Sequence, residues 1–399
     1  MFSRAAFVPL GVALVLATGC DHRSPLAPQD MRDLQSTSRA AAARAAWTGG
    51  ARHVEGEIGP GALYAMDVPE HWNGDLVVYA HGYTEESGAA VKLPAIAYFR
   101  DPVLARGFAI AYSSFSSNGY ALQEGFQQTH QLSGLFASQF GQPRRTLVVG
   151  QSLGGIIALK LAETYPQQYA GALTGCGVMG GTAHEIEFVA NVRVLFDYFY
   201  PGKLPGSLLE VPPGVEFQTL IPGIAQAIQQ NPAGALMMAR ILPIPFTNGN
   251  ELVEAIVREL GFQFLGADDF LSRSHGHVFF DNWDTVYSGD GVPQSVLDDL
   301  NAHVARYHAT PDAESFMKAY FEPRGHLEIP VVALHTRWDP IVPLFNEDRY
   351  RETVAQAGSS ALLRQQTVNK FGHCTYTPEQ LLAAFDELTA WVESRASTP

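Results

Sequence analysis

Thr146-Leu147-Val148-Val149-Gly150-Gln151-Ser152-Leu153-Gly154-Gly155-Ile156-Ile157-Ala158-Leu159-Lys160-Leu161-Ala162 is the stretch whose reading decides the fold. Its opening is a short aliphatic run of the kind found in a strand buried on both faces. Its second half is a helical run that stops at Pro166. Between them lies Gly-x-Ser-x-Gly, the spacing that sets a serine on a sharp strand-to-helix turn. The turn strains the serine backbone, and the two glycines let strand and helix pass closely. The hydroxyl is then exposed at the helix N-terminus, where the dipole favours developing negative charge. Five residues alone recur by chance; the strand before, the helix after and the extra Gly155 make this motif specific.

Outward from this turn, short β-type runs alternate with helical stretches, the pattern of a parallel sheet covered by helices. The runs cover 76–80, 108–112, 146–149, 171–174, 330–334 and 362–368. Near the C-terminus, Thr377-Pro378-Glu379-Gln380 gives an N-cap, a proline in the first turn and a capping-box glutamine. Leu381, Leu382, Phe385, Leu388 and Val392 then form one apolar stripe. From about 183 to 324 the rhythm breaks into amphipathic runs such as Leu252-Val253-Ile256-Val257-Leu260. This interval shows no internal repeat and reads as one insertion between two strands. Its Phe196-Asp197-Tyr198-Phe199-Tyr200 and Leu236-Met237-Met238 runs suit the insertion's own core, or the wall of an apolar pocket.

These features together resemble the α/β-hydrolase superfamily. The resemblance covers 76–177 and 329–392, about half of the chain. It implies an α/β-hydrolase fold, with a mostly parallel central sheet flanked by helices and a largely helical cap inserted between strands. It also implies a chain order of oxyanion loop, nucleophile, acid and histidine. His81-Gly82-Tyr83 follows an early strand and resembles the H-G-x loop, so the backbone N–H groups of Tyr83 and Leu153 would form an oxyanion hole. His81 itself is expected to be structural. Asp339-Pro340-Ile341-Val342-Pro343 resembles the D-x-x-V-P loop that carries the orienting acid. His373, in Phe371-Gly372-His373-Cys374, stands past the last strand where the general base is expected. The implied triad is Ser152, Asp339 and His373. The serine-rich stretch 112–119 follows a strand end on the same face and reads as a pocket wall or a solvated loop.

The implied activity is hydrolysis of a small, apolar carboxylic ester through an acyl-enzyme. One alternative is a serine peptidase of the capped aminopeptidase type, with Glu185, Glu187 or Asp269 holding a substrate ammonium. Another is a non-catalytic surface lipoprotein on a hydrolase scaffold, for which a broken triad or elbow is expected. No phosphate-binding glycine loop is present, so no cofactor is expected. The spacing of His275, His277, Asp281 and Asp284 matches no known ligand pattern, so no metal is expected either.

The 399 residues carry 40 acidic against 26 basic side chains, a formal charge of −14 that argues against a nucleic-acid partner. At 46% hydrophobic and 17% charged, the chain is too apolar to be disordered as a whole. The N-terminus adds an address. Arg4 precedes an uncharged, mostly apolar run from Ala5 to Gly19, too short to span a bilayer comfortably. The run ends in Leu16-Ala17-Thr18-Gly19-Cys20, which resembles a bacterial lipobox, with Ala17 where leucine is usual. Residues 1–20 are therefore read as a signal peptide with Cys20 lipidated, 21–46 as a flexible tether, and 47–399 as the hydrolase domain. The expected location is exported and anchored by acyl chains on Cys20, with membrane contact through that anchor only; otherwise the protein is secreted.

Of the three cysteines, Cys176 and Cys374 remain. Cys176 follows the strand after the elbow and Cys374 adjoins His373, so both fall at the catalytic edge of the sheet. Tannase and feruloyl-esterase relatives also carry a cysteine after the catalytic histidine, but its partner precedes the serine, where this chain has Gln151. A Cys176–Cys374 disulfide would pin the histidine loop in an exported protein; two buried thiols are the alternative.

Overall fold

The apolar runs become the interior of one eight-stranded sheet in the computed structural model, which describes residues 50–85, 89–273, 275–313, 315 and 322–396. The strands are β1 (Arg52–Ile58), β2 (Ala62–Val68), β3 (Asp75–Ala80), β4 (Ala109–Ser113), β5 (Arg145–Gln151), β6 (Gly171–Gly175), β7 (Val331–Trp338) and β8 (Leu363–Phe371). Their order across the sheet is β1-β2-β4-β3-β5-β6-β7-β8. Every neighbouring pair from β4 to β8 runs parallel. Only β1 and β2 add antiparallel pairings. That hairpin is absent from the sequence reading: β1 is an edge strand, exposed or half-buried up to Ile58, with no continuous apolar run, and the apolar run of β2 is not read as a strand there.

The helices flanking the sheet are α1 (Ala97–Ala105), α2 (Leu122–Phe140) and α3 (Leu153–Thr164). The chain between β6 and β7 adds α4 (Thr182–Phe199), α5 (Phe217–Gln230), α6 (Pro232–Ile241), α7 (Gly249–Arg273) and α8 (Gln294–His303). Two more flanking helices follow, α9 (Phe345–Gln356) and α10 (Pro378–Ala396). Along β3 the side chains alternate between the two faces. Leu76, Val78 and Ala80 join the apolar cluster with Phe136 of α2, Ile156 of α3 and Tyr350 of α9. Val77 and Tyr79 join the opposite cluster with Phe99 of α1 and the α10 stripe of Leu381, Phe385, Leu388 and Val392. The predicted capping box at α10 is present: the Thr377 N–H donates to Gln380 Oε1 at 2.8 Å and the Gln380 N–H to Thr377 Oγ1 at 3.3 Å.

This is the α/β-hydrolase fold, and α4 to α8 form its cap. The cap has a separate core in which Val192, Phe196, Ile224, Met238, Ile256 and Leu260 are buried together. Phe196 and Met238 therefore hold the cap together, while Leu236 faces solvent. No helix among the described residues is long and apolar enough to cross a membrane.

The tightest point of the fold is where β5 turns into α3. A side chain at Gly154 would overlap the carbonyl of Ala80 at the end of β3, and one at Gly150 would overlap the carbonyl of Gly154. Gly154→Ala is accordingly expected to destabilise the protein by about 3 kcal/mol or more. Gly134→Ala, on the exposed side of α2 with open space around it, should be neutral or stabilising. Urea denaturation midpoints of the two variants check the contrast.

Candidate active site

Ser152 occupies the turn between β5 and α3 with a φ of 56°, in the left-handed region that a non-glycine residue rarely adopts. The turn is fixed from both sides, since the Ser152 N–H donates to Gly175 O at 2.8 Å and the Gly155 N–H returns to Ser152 O at 2.8 Å. His373 follows β8, and its Nε2 lies 2.8 Å from Ser152 Oγ. Its Nδ1 lies 2.8 and 3.0 Å from the two carboxylate oxygens of Asp339, beyond the end of β7. Three residues far apart in sequence thus meet in one hydrogen-bonded chain, because β5, β7 and β8 end on the same edge of the sheet.

Asp339 is wholly buried, yet its pKa is lowered. Burial alone would raise it, but the charge and hydrogen bonds of His373, the charge of His335 and the backbone N–H of Val342 outweigh that. The N–H groups of Ile341 and Val342 both donate to Oδ1 at 3.0 Å. Thr336 Oγ1 donates to Gly372 O at 2.7 Å, tying the end of β7 to the residue before His373.

His335, in β7, has no role in the sequence reading. It is buried within the sheet, with Nδ1 3.1 Å from Glu347 Oε1 and Nε2 2.7 Å from Val342 O. Both ring nitrogens face acceptors, so the ring is an imidazolium. Burial opposes its charge, but Glu347 prevails and the pKa is raised to about 9. This cation lies 3.7 Å from Asp339 Oδ2 and grips the Asp339–Val342 turn from behind.

On the other side of Ser152, Gly82 lies so close that an added Cβ would sit 3.2 Å from Ser152 Cβ. Tyr83 follows it in the chain, and Leu153 is the first residue of α3. His81 is buried, with its ring stacked on Phe115 at 3.7 Å between centroids and Nδ1 2.6 Å from Gly82 O. Phe115 and the serines at 113 and 114 are buried, which makes that part of the 112–119 stretch a packed wall behind His81. Gln151 stands under the histidine loop. It donates to Tyr98 Oη at 2.7 Å and accepts from Tyr376 Oη at 2.9 Å. Cys176 and Cys374 are joined as a disulfide, with Cα atoms 5.5 Å apart, which anchors the residue after His373 to the end of β6. Cys20 and the tether lie outside the described residues.

The cap closes over this edge. Phe262 of α7 packs edge-on against Tyr83 at 5.3 Å. It also helps to line an apolar cavity with Ile186, Val189, Ala267, Phe270 and Leu271. The three carboxylates considered for an ammonium differ sharply. Asp269 is committed to Arg273 at 2.7 Å and to the Tyr120 N–H at 2.7 Å. Glu187 is largely exposed beside His184. Glu185 is buried and accepts from Asn346 Nδ2 at 2.9 Å. Glu259 of α7, absent from the sequence reading, is also fully buried. Its position three residues after Ile256 placed it on the helix's apolar face, and a carboxylate there was the available signal. Asp281 caps its own loop by accepting from the Trp283 and Ala309 N–H groups.

Residues 117–197, which include the elbow, match the Esterase family, described as "Putative esterase". No curated protein matches the chain. Among solved structures, an esterase from Aspergillus oryzae is similar at 15% identity and TM-score 0.46, covering 86% of this chain and 79% of that one. A Pyrococcus furiosus esterase is similar at 11% identity and TM-score 0.44, covering 86% and 91%. Feruloyl esterase B from Aspergillus oryzae is similar at 13% and 0.43, covering 82% and 73%.

The buried charges set the pH dependence of stability. His335 is raised from 6.5 to about 9, so the stability it contributes is complete below about pH 6.5 and is lost as pH rises through about 9. Glu185 is raised by burial from 4.5 to about 8; its folded form keeps a proton that the unfolded chain releases, so it too makes stability fall with rising pH. The melting temperature should therefore decline between pH 6 and 9, and His335→Gln should flatten the part above pH 6.5. Calorimetric scans of both proteins across that range check this, and parallel curves would count against it.

Proposed function

We propose that this protein is a serine hydrolase of carboxylic esters. The observation that carries the reading is the unbroken hydrogen-bonded chain from Ser152 through His373 to Asp339. In this mechanism His373 Nε2 takes the Ser152 proton as Oγ attacks the ester carbonyl. Asp339 holds the Nδ1–H tautomer and stabilises the imidazolium, and the His335 cation keeps Asp339 ionised and in place. The N–H groups of Leu153 and Tyr83 receive the oxyanion at the positive end of α3. The alcohol leaves with the proton from His373. Water, activated by the same histidine, then releases the acid and restores Ser152.

An ester is preferred over an amide because the cap offers an apolar cavity against the oxyanion loop. Two of the three carboxylates suggested for a peptidase are also engaged elsewhere or exposed. A non-catalytic scaffold would be expected to lose part of the triad or the elbow, and neither is broken. Ser152→Ala should lower kcat on p-nitrophenyl esters by about 10^4-fold or more, and His373→Ala comparably. Steady-state rates on esters of rising chain length, run beside aminoacyl p-nitroanilides, decide the class. Amide turnover above ester turnover would overturn the reading.

We further propose that the enzyme is exported and held at a membrane surface by acyl chains on Cys20, with residues 21–46 as the tether. The lipobox-like run before Cys20 supports this. In bacteria fed a clickable fatty acid, wild type should be labelled and sediment with membranes, while Cys20→Ser should lose both properties. Equal sedimentation of the two proteins would remove the anchor.

A further inference from the structure

The disulfide places two sulfur atoms beside the nitrogen that the proposed mechanism uses as its base. Cys176 Sγ, Cys374 Sγ and His373 Nε2 all lie within 4.8 Å of one another. Cys374 Sγ is 3.6 Å from Nε2. In a tetrahedral zinc site, bonds of about 2.3 Å to sulfur and about 2.0 Å to nitrogen set neighbouring donor atoms about 3.5–3.8 Å apart. The Cys374–His373 pair already stands at that spacing. Once the S–S bond is opened, the two sulfurs part to van der Waals contact, which forms the next edge of the same tetrahedron. Ser152 Oγ, 2.8 Å from Nε2, faces the fourth position.

The surroundings are those that a zinc-bound histidine needs. A ligating imidazole donates its other N–H to a carboxylate, which fixes the tautomer and raises the basicity of the ligand nitrogen. His373 Nδ1 has Asp339 Oδ2 at 2.8 Å, so Nε2 presents its lone pair toward the sulfurs and the serine. Two thiolates balance a divalent cation, so the bound ion adds no net charge beside the buried Asp339 and His335. Cys176 is buried, whereas Cys374 and His373 are half-buried, so reductant and metal reach the cluster from their side.

We propose that, when the disulfide is reduced, Cys176, Cys374 and His373 bind a zinc ion that switches the enzyme off. The reductant is a dithiol. Its two thiols give two electrons and two protons to the S–S bond, which opens to two cysteine thiols as the dithiol closes to its own disulfide. Zn2+ then displaces the two thiol protons to solvent and takes the lone pair of Nε2. His373 keeps its Nδ1–H on Asp339 but has no lone pair left to accept the Ser152 proton, so acyl transfer stops. An oxidised dithiol reverses the change: it takes two electrons from the thiolates, the S–S bond closes, and the ion is released. Thiols stay reduced in the cytosol and pair in oxidising compartments, so this device keeps the hydrolase silent until the chain is oxidised. The inference rests on the reading of His373 as the general base of an esterase.

The test uses the full chain carrying Cys20→Ser, whose remaining cysteines are those of the disulfide, reduced with dithiothreitol and desalted without oxygen. Reduced protein should bind one equivalent of Co2+ with thiolate-to-metal absorption in the near ultraviolet and the strong visible bands of a tetrahedral ion. Oxidised protein should show neither. Cys176→Ser and His373→Ala should each weaken Zn2+ binding by about 100-fold or more, because even groups that only hold a ligand in place carry about 10–100-fold. On p-nitrophenyl butanoate, one equivalent of Zn2+ should lower kcat of the reduced protein by about 100-fold or more, as loss of a general base does. EDTA should restore the rate, and the oxidised protein should not respond. Where reduction by itself stops turnover, the melting temperature decides: Zn2+ should raise it for the reduced protein and leave it unchanged for the oxidised protein and for reduced His373→Ala. Absent thiolate bands, equal binding by the oxidised protein, affinity unchanged in His373→Ala, or full turnover with one zinc bound would each overturn the proposal. So would a reduced protein that neither keeps its fold nor regains it with Zn2+. The metal arm needs no turnover: an oxidised protein that hydrolyses no ester, beside a reduced one that binds the ion as described, would overturn the esterase reading alone.

Discussion

The structure depends on the contact at the β5–α3 turn, where the backbone of Gly154 meets the carbonyl of Ala80 and leaves no room for a side chain. That contact lets α3 start directly on top of the sheet, so its N-terminus points at the space beside Gly82. It also holds Ser152 at a φ of 56°, a strained conformation that turns Oγ away from the helix and toward the histidine loop. Strain of this kind persists only where the surroundings over-determine it. Here the surroundings are the interior strands β3, β5 and β6, buried on both faces.

Electrostatics organises the opposite side of the site. Asp339 is a buried carboxylate, and such a group survives ionised only with compensating charge and donors. It has both: His373 in front, His335 behind, and two backbone N–H groups from its own loop. His335 in turn needs Glu347, so two acids and two histidines form one alternating network through β7 and α9. For Glu185 the charge of His335 and the Asn346 hydrogen bond are outweighed by burial, and Glu259 has the charges of Glu185 and Asp339 against it. The same low-dielectric interior that keeps Asp339 ionised raises their pKa values instead.

The disulfide adds a covalent restraint to the hydrogen bonds that already hold the histidine loop. Cys176 and Cys374 both hold positive φ values, so each marks a sharp bend at the end of a strand. With Gln151 bonded to Tyr376, the loop after His373 is tied to β6 and β5 together.

The sequence by itself determined the elbow, the parallel strands, the capped terminal helix and the candidates Ser152, Asp339 and His373. The elbow, strands and helix depend on local steric or periodic rules that a short window contains, glycine spacing at a tight turn and aliphatic runs in doubly covered strands; Asp339 and His373 were what the resemblance of their loops to the α/β-hydrolase pattern implied. The tertiary structure alone decided the rest. The β1–β2 hairpin joins a largely exposed edge strand to β2, whose short apolar run from Ala62 to Met66 does not by itself show an antiparallel partner. The division of the cap's aromatic residues between its own core and a cavity depends on how the cap helices pack. His335 and Glu259 read as ordinary polar residues until burial gives them their character. A carboxyl or an imidazole acquires a shifted pKa from the groups around it, and those groups come from segments that only folding brings together.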